Sequence, residues 1–432
     1  MINFFNFSKS KYAGYIILLS PILMYFRFLP INTETQPIIG ILMLFFLFRY
    51  NFTSSELIML FFIIYTFFIG LISYVYLGGN IIELFNYIFG PLLFIATPVN
   101  FKINKKIFVS IHILLIAILF IQRFDIFLLS GILDKLIHFF IPTRMYTSSG
   151  ITDTDAFVTP VSGLAPEPSY IAHQIVFLHL LAEIAYEKNI MRISLKELNF
   201  FRLLLLLYIF LTPSMTIIAL VLLCFLPVGK KYLIWFALLI LFTFFALKTN
   251  IYFLQSFGTL RLSAFFDRFI NFDFNNFGWH SLFLLDSSGS TRIYTNVIGY
   301  LISFERPFGV GPGNYGHNWD LAFNNYNIQS FFIHPHISEW YNTGQKAPSY
   351  FGNYSSDIGF VGFIPFVSFI IFMLIKLKKT VTQKSIRNIL IFLFFFSCNI
   401  TNPIPWFLLA FYKKEFNLEN NFNYNKYIFN KN

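Results

Sequence analysis

Residues 57–77 read LIMLFFIIYTFFIGLISYVYL, 21 positions without an Asp, Glu, Lys or Arg. Coiled as an α-helix, such a run extends about 31 Å, the thickness of a bilayer's hydrocarbon core. It is apolar on every side, so it has no face to turn to water. The period-two alternation of a barrel strand is absent, and in lipid only a helix satisfies its own backbone.

Working outward, further apolar segments occur at 13–29, 37–49, 81–98, 107–128, 169–187, 201–212, 214–228, 231–248, 357–377 and 386–411. Several are shorter than the ~20 residues of a straight span, so their ends extend into the flanking polar residues. The predicted fold class is all-α, a polytopic helical membrane protein with about 11–12 transmembrane segments and a large periplasmic loop. Composition agrees. Of 432 residues, 56% are hydrophobic and only 12% charged, and Phe alone accounts for 62. That is about half the charge of an average soluble domain, which excludes a soluble multidomain chain. The first apolar stretch follows Lys9 and Lys11 with no small-residue cleavage site, so it is read as a retained anchor. Cys224 and Cys398 both lie in apolar segments and suggest neither a disulfide nor a metal site.

The net charge of +11 is read as topological, not as a nucleic-acid footprint. With the N-terminus in the cytoplasm and spans alternating, 21 of the 31 basic residues fall on inside segments, and every inside loop is basic. Eleven simple spans would leave the basic C-terminus outside. The stretch NITNPIP at 399–405 offers a resolution, because it can break the last apolar segment into a re-entrant pair, which is tolerated where the backbone is buried in protein. The resulting domain plan is a transmembrane bundle over 1–248 with an outer loop at 129–168, a large periplasmic loop over 249–356, C-terminal transmembrane segments over 357–412 and a cytoplasmic tail over 413–432. The first loop contains an amphipathic piece at 132–141. In the second, 291–304 has apolar residues at helical spacing and is expected to lie at the membrane surface. No internal repeat is found, which weighs against an inverted-repeat transporter.

Basic residues partition by type. Inside, 17 of 21 are Lys, whereas outside seven of ten are Arg, namely Arg27, Arg123, Arg144, Arg261, Arg268, Arg292 and Arg306. Orientation needs only charge. A guanidinium adds a planar fork that grips phosphate oxygens, so the outer face suggests a phosphate-bearing ligand, with ion pairing to outer carboxylates as the plainer explanation.

Three short stretches carry candidate chemistry. GLAPEPSY at 163–170 leads into a span. Pro168 suits its first turn, and Glu167 then stands at the positive end of the helix dipole, either as a simple helix start or as a carboxylate aimed into a site. Inside that span follow His173, Gln174, His179 and Glu183, polar groups that ought to face the bundle or a cavity. PFGVGPGNYGHN at 307–318 lacks the strand–loop–helix context of a nucleotide loop, but its glycines, Gly311 among them, would let a backbone approach a sugar or pyrophosphate. HPHISEW at 334–340 sets His334 and His336 beside a carboxylate and Trp340. Histidine can act as a base near neutral pH, and Trp340 can stack on a sugar face. A plain polar surface loop is the alternative for both.

Taken in order, PEPS at 166–169, TPSMT at 212–216, Arg292 ahead of PFGVG at 307–311, HPH at 334–336 and DIGFVG at 357–362 resemble the O-antigen polymerase (Wzy) family, to which O-antigen ligases are related. The resemblance covers most of residues 160–370, and the order of the motifs is more specific than any one of them. Family members often carry Asn after the second loop histidine, where this chain has Ile337.

The resemblance implies a glycosyltransferase in the bacterial inner membrane with its active site facing the periplasm. Its substrates would be undecaprenyl-diphosphate-linked oligosaccharides, with no cofactor and no metal, and with membrane lipid and a chain-length regulator as partners. The growing glycan would leave its lipid diphosphate and join a hydroxyl of the incoming lipid-linked unit. That reaction needs cations to hold the departing diphosphate and a base for the acceptor hydroxyl. Arg292 is assigned to the diphosphate, with Arg261 or Arg268 as a second clamp. His336, then His334, then Glu167 are the candidate bases.

Three other readings compete. A ligase would share the span plan and the site. A flippase for lipid-linked sugars would be expected to show two related halves and short loops. A membrane scaffold would not need histidines and arginines gathered in one outer loop.

Overall fold

The computed structural model describes residues 2–26, 52–98, 101–124, 129–141, 146–147, 157–158, 163–166, 168–212, 214–248, 268–271, 287–326, 337–338, 341–342, 344, 347–397 and 402–416. In chain order the longer elements are α1 (Ile2–Leu23), α2 (Ser54–Leu77), α3 (Ile81–Ala96), α4 (Lys105–Phe124), α5 (Leu129–Phe140), β1 (Tyr146–Thr147), β2 (Phe157–Val158), α6 (Pro168–Lys188), α7 (Leu195–Leu211), α8 (Met215–Phe225), α9 (Lys230–Lys248), α10 (Ser287–Glu305), α11 (Trp319–Tyr326), α12 (Tyr350–Lys376), α13 (Val381–Phe392) and α14 (Ile404–Ala410). The strands form a single two-residue antiparallel pair, Tyr146 opposite Val158. Everything else regular among the described residues is helical. Three of these helices, α2, α4 and α12, are long and apolar enough to cross a membrane. The expected span at 37–49 and the break at 398–401 lie outside the described residues.

Helix boundaries follow cap chemistry. Thr53 and Glu56 form a capping box at α2, and Ser194 with Glu197 forms one at α7. The division between the apolar segments 201–212 and 214–228 is a boundary between helices. Thr212 closes α7 and Ser214 opens α8, its hydroxyl accepting the Ile217 N–H at 3.2 Å.

The chain forms two compact units, each assembled from non-contiguous segments. Unit 1 takes 1–39, 100–271 and 380–389, and unit 2 takes 40–99, 272–379 and 390–432. Neither coincides with the sequence blocks 1–248 or 249–356.

In unit 1, α6 is the central helix. It packs on α1, α7 and α8, and its side chains from Ile171 to Ala185 are buried on all faces. Its polar residues therefore need partners inside the protein. The Gln174 amide donates to the carbonyls of Pro21 (2.9 Å) and Leu164 (3.2 Å). Glu183 receives Arg202 of α7 through two bonds, from Nε at 2.7 Å and Nη2 at 3.0 Å. Arg202 also donates to Asn199 and lies over the Tyr232 ring of α9. His112 of α4 meets the Tyr208 hydroxyl of α7 at 3.0 Å. At the first turns of α4 and α7, the ammonium of Lys105 bonds to Glu197 and holds that carboxyl below its usual range.

In unit 2, α2 and α3 form a hairpin turned at Gly78, Gly79 and Asn80, and α12 packs against both α2 and α10. α10 falls within residues 249–356, and its helical form agrees with the apolar spacing at 291–304. One face is buried, including Thr291, Tyr294, Thr295, Asn296, Ile298 and Ile302. It approaches α12 at Gly299, where any Cβ would collide with the Gly352 carbonyl. α12 is two helices joined at Gly359, whose φ of 79° is outside the helical range. There Val361 N–H donates to the Pro307 carbonyl at 3.1 Å.

A Cβ at position 359 would strike Pro307 O and Gly309 N, on a backbone that L-residues rarely adopt. Gly359→Ala should therefore cost about 2–3 kcal/mol, the strain of one forced left-handed residue. It should be seen as a lowered melting temperature of the detergent-purified protein, and unchanged melting would refute this account of the kink.

One end of unit 2 is basic. The 3₁₀ turn Lys413–Phe416 follows α14, and Lys413 is completely buried there. Its ammonium binds Glu56 at the start of α2 (2.5 Å) and the Thr97 carbonyl at the end of α3 (2.6 Å). Lys379, beyond α12, binds Glu415 at 2.8 Å. The chain after α14 thus stands at the same end as the start of α2 and the ends of α3 and α12.

Candidate functional site

The opposite end of unit 2 is where residues 307–315 dock. Its glycines bring the loop's backbone directly onto two other elements. On one side, Asn80 N–H donates to the Pro312 carbonyl (2.8 Å), the Asn314 amide to Gly78 O (3.3 Å) and the Ser73 hydroxyl to Phe308 O (2.9 Å). On the other, Val310 N–H donates to Ser356 O (2.9 Å) and Gly311 N–H to Asp357 O (3.2 Å). Gly309, Gly311 and Gly313 all have positive φ, near 80–95°. A Cβ at Gly309 would overlap the Asp357 carbonyl.

The Asp357 side chain organises this junction. It is buried at the kink of α12. Its Oδ2 accepts from Gly313 N–H (2.7 Å) and the Tyr87 hydroxyl of α3 (2.8 Å), and its Oδ1 accepts from Tyr315 N–H (3.1 Å). Each of these contacts suits a carboxylate, which only accepts. Tyr315 follows in the loop. Burial, with the Asp357 charge beside it, pushes its phenol well above the usual range, and the protonated hydroxyl donates to Thr295 O of α10 at 2.6 Å.

Arg292 lies in the second turn of α10, half-buried. Its Nη1 reaches the Ser397 hydroxyl at 3.4 Å. Ser397 ends the π-helical turn Leu393–Ser397 that continues α13. One turn along α10, the Asn296 amide donates to Phe395 O (3.2 Å) and its Oδ1 accepts from Ser349 (2.6 Å). α10 therefore presents a cation and an amide to a helix end, where carbonyls lack intrahelical partners and the dipole is negative.

A buried cluster under α10 joins Tyr294, Ile298 and Ile302 to Val310, Tyr315, Trp319, Phe323, Ile337 and Ala347. Ile337 is the residue after His336 and is fully buried. Tyr341, next after Trp340, packs on Trp319 and Phe323 and donates its hydroxyl to Asp320 at 2.8 Å. Ile337 is thus an anchor for this segment.

Of the residues singled out in the sequence, unit 2 contains Arg292 and Gly311. Gly311 is buried, and its N–H is engaged by the Asp357 carbonyl. Arg268 is exposed on a short helical turn in unit 1. His334, His336, Glu167, Arg261 and Trp340 lie outside the described residues. Sequence reasoning gave no role to Asp357, Tyr87, Asn296 or Ser397. An acidic residue opening an apolar span is costly unless it is used, and that signal could have singled out Asp357. No known family of sequences matches this chain, and neither a curated protein nor a solved structure does.

Proposed function

We propose that this chain polymerises undecaprenyl-diphosphate-linked oligosaccharide repeat units, of the O-antigen kind or a related surface polysaccharide, at the outer face of a bacterial inner membrane. The observation that supports this reading is the convergence in unit 2 of segments far apart in sequence. The helix bearing Arg292, the loop at 307–315, Ile337 of the HPHI stretch and the DIGFVG start at Asp357 are joined through one buried cluster and one carboxylate. This junction stands at the end of unit 2 remote from Lys379 and Lys413, as an outward-facing site requires of a chain whose basic loops stay inside.

In the reaction, the bond between the anomeric carbon of the growing glycan and its diphosphate oxygen breaks. The acceptor hydroxyl oxygen of the incoming unit forms the new bond, and its proton passes to a base, assigned to His336 with His334 and then Glu167 behind it. The leaving undecaprenyl diphosphate gathers negative charge, which Arg292 stabilises. Trp340 stacks on a sugar.

Arg292→Ala should reduce polymerisation about 100–1,000-fold, the usual loss when one preorganised donor to developing charge is removed. The check is the surface-glycan ladder and the pool of lipid-linked intermediates in cells carrying the variant as the sole copy. Single repeat units capping the acceptor are expected in place of the long ladder. His336→Ala and His334→Ala belong in the same experiment, and a normal ladder from both would remove the histidine base. In cells lacking the gene, full-length polymer stranded on undecaprenyl diphosphate would indicate a ligase. Single repeats held on the inner leaflet would indicate a flippase.

A further inference from the structure

In unit 1, α5 carries an apolar face that is largely uncovered among the described residues. Ile132, Leu136, Phe139 and Phe140 are 60%, 59%, 79% and 50% exposed. They follow i, i+4, i+7, i+8 spacing and so form one stripe along the helix. The other side docks on the protein, through buried Ile137 and through Asp134, whose Oδ1 accepts from Gln122 at 2.8 Å.

Two contacts fix how α5 runs. Asp134 is level with the last turn of α4, where Gln122 lies. Phe140 packs against Phe26, just beyond the end of α1, with ring centroids 6.1 Å apart. The six residues between Asp134 and Phe140 rise about 9 Å, which is one helix-to-helix spacing. α5 therefore runs from the last turn of α4 to the residues just beyond the end of α1. Its exposed stripe is level with the end of α4, whose own flank exposes Ile113, Leu114 and Phe120. Lys135 is exposed beside the stripe and can reach up to a headgroup.

We propose that α5 is an in-plane anchor, its stripe of Ile132, Leu136, Phe139 and Phe140 inserted at the boundary between headgroups and acyl chains of the leaflet where α4 ends. The occupant is lipid, because the stripe continues the apolar flank of a helix long enough to cross the bilayer. This inference rests on the membrane reading of α4 and on nothing about catalysis.

The test uses the full chain with Cys224→Ser and Cys398→Ser, reconstituted in phosphatidylcholine–phosphatidylglycerol vesicles. Single cysteines are placed by Leu136→Cys, Phe139→Cys, Lys135→Cys and Leu114→Cys, and each is labelled with an environment-sensitive fluorophore. Doxyl lipids labelled high on the acyl chain should quench the labels at 136 and 139 at least twofold more than the label at 135. Those labelled deep in the chain should quench the label at 114. If the labels at 136 and 139 respond to aqueous iodide and not to doxyl lipid, the anchor is refuted. If both quenchers fail there, protein covers the stripe, a second copy or another part of this chain, and the proposal falls equally. If the label at 114 also escapes every doxyl lipid, it is the membrane reading of α4 that fails.

Discussion

Asp357→Asn should loosen the loop at 307–315 and lower the protein's stability by about 3 kcal/mol or more, reflecting charge-assisted bonds worth about 1.5–3 kcal/mol each. The substitution keeps the side chain's volume, so the effect isolates hydrogen bonding. In the native protein, Gly313 N–H and the Tyr87 hydroxyl point at one carboxylate oxygen and Tyr315 N–H at the other. An amide can replace only one of those oxygens with an acceptor. Its NH₂ must then face at least one donor, leaving a buried N–H or O–H unsatisfied. Asp357→Ala removes both acceptors and should cost more. Hydrogen exchange of the detergent-purified protein provides the readout. Amides at Gly313 and Tyr315 should exchange faster in Asp357→Asn, while those of α6 stay protected. Equal protection in variant and wild type would show that the carboxylate does not clamp the loop. If the loop also shapes the proposed glycan site, polymerisation should fall together with its protection.

Lys413→Met should be comparably damaging at the other end of unit 2. The ammonium is wholly buried and binds the Glu56 carboxylate together with the Thr97 and Ile95 carbonyls at the end of α3. Methionine fills similar space but leaves a buried carboxylate without its counter-charge, an uncompensated loss of about 3–5 kcal/mol. The carbonyls ending α3 also lose a donor suited to the negative end of a helix. The double variant Lys413→Met with Glu56→Gln removes the orphaned charge and should recover part of the loss, as a coupled pair does in a mutant cycle. Thermal melting in detergent across the four proteins measures this. A double variant no more stable than Lys413→Met alone would show that the ion pair is not the source of the cost.

Much of the helical plan was legible because its signals are local. The uncharged run at 57–77 is found within α2, and the division at 212–214 is found between Thr212 and Ser214, where short side chains and a proline end one helix and begin another. The break expected at NITNPIP falls partly outside the described residues, between the π-helical turn ending at Ser397 and α14.

The candidate site was less legible. Arg292 stood out because an outer arginine is informative by its type alone. Asp357 passed as the first residue of an apolar span, although it is the acceptor that holds the loop. The glycines at 309–313 suggested close approach to a ligand, whereas the close approach seen is to Asp357 and Gly78 of the protein itself. Ile337 counted as a departure from the family pattern until its burial beside Tyr294 and Trp319 gave it an anchoring role.

By itself, then, the sequence determined that this is a helical chain with long apolar segments, and about where several of those helices lie. Composition, periodicity and capping act within about one helical turn to one span, so they can be read along the chain. Only the tertiary structure decided that residues 40–99, 272–379 and 390–432 make one unit, that α12 is kinked at Gly359 to receive a loop some fifty positions upstream, and that a lysine at 413 neutralises a glutamate at 56. Those pairings depend on which helix faces meet. A buried carboxylate or ammonium has no address in the sequence until packing removes it from water and leaves it one partner to bind.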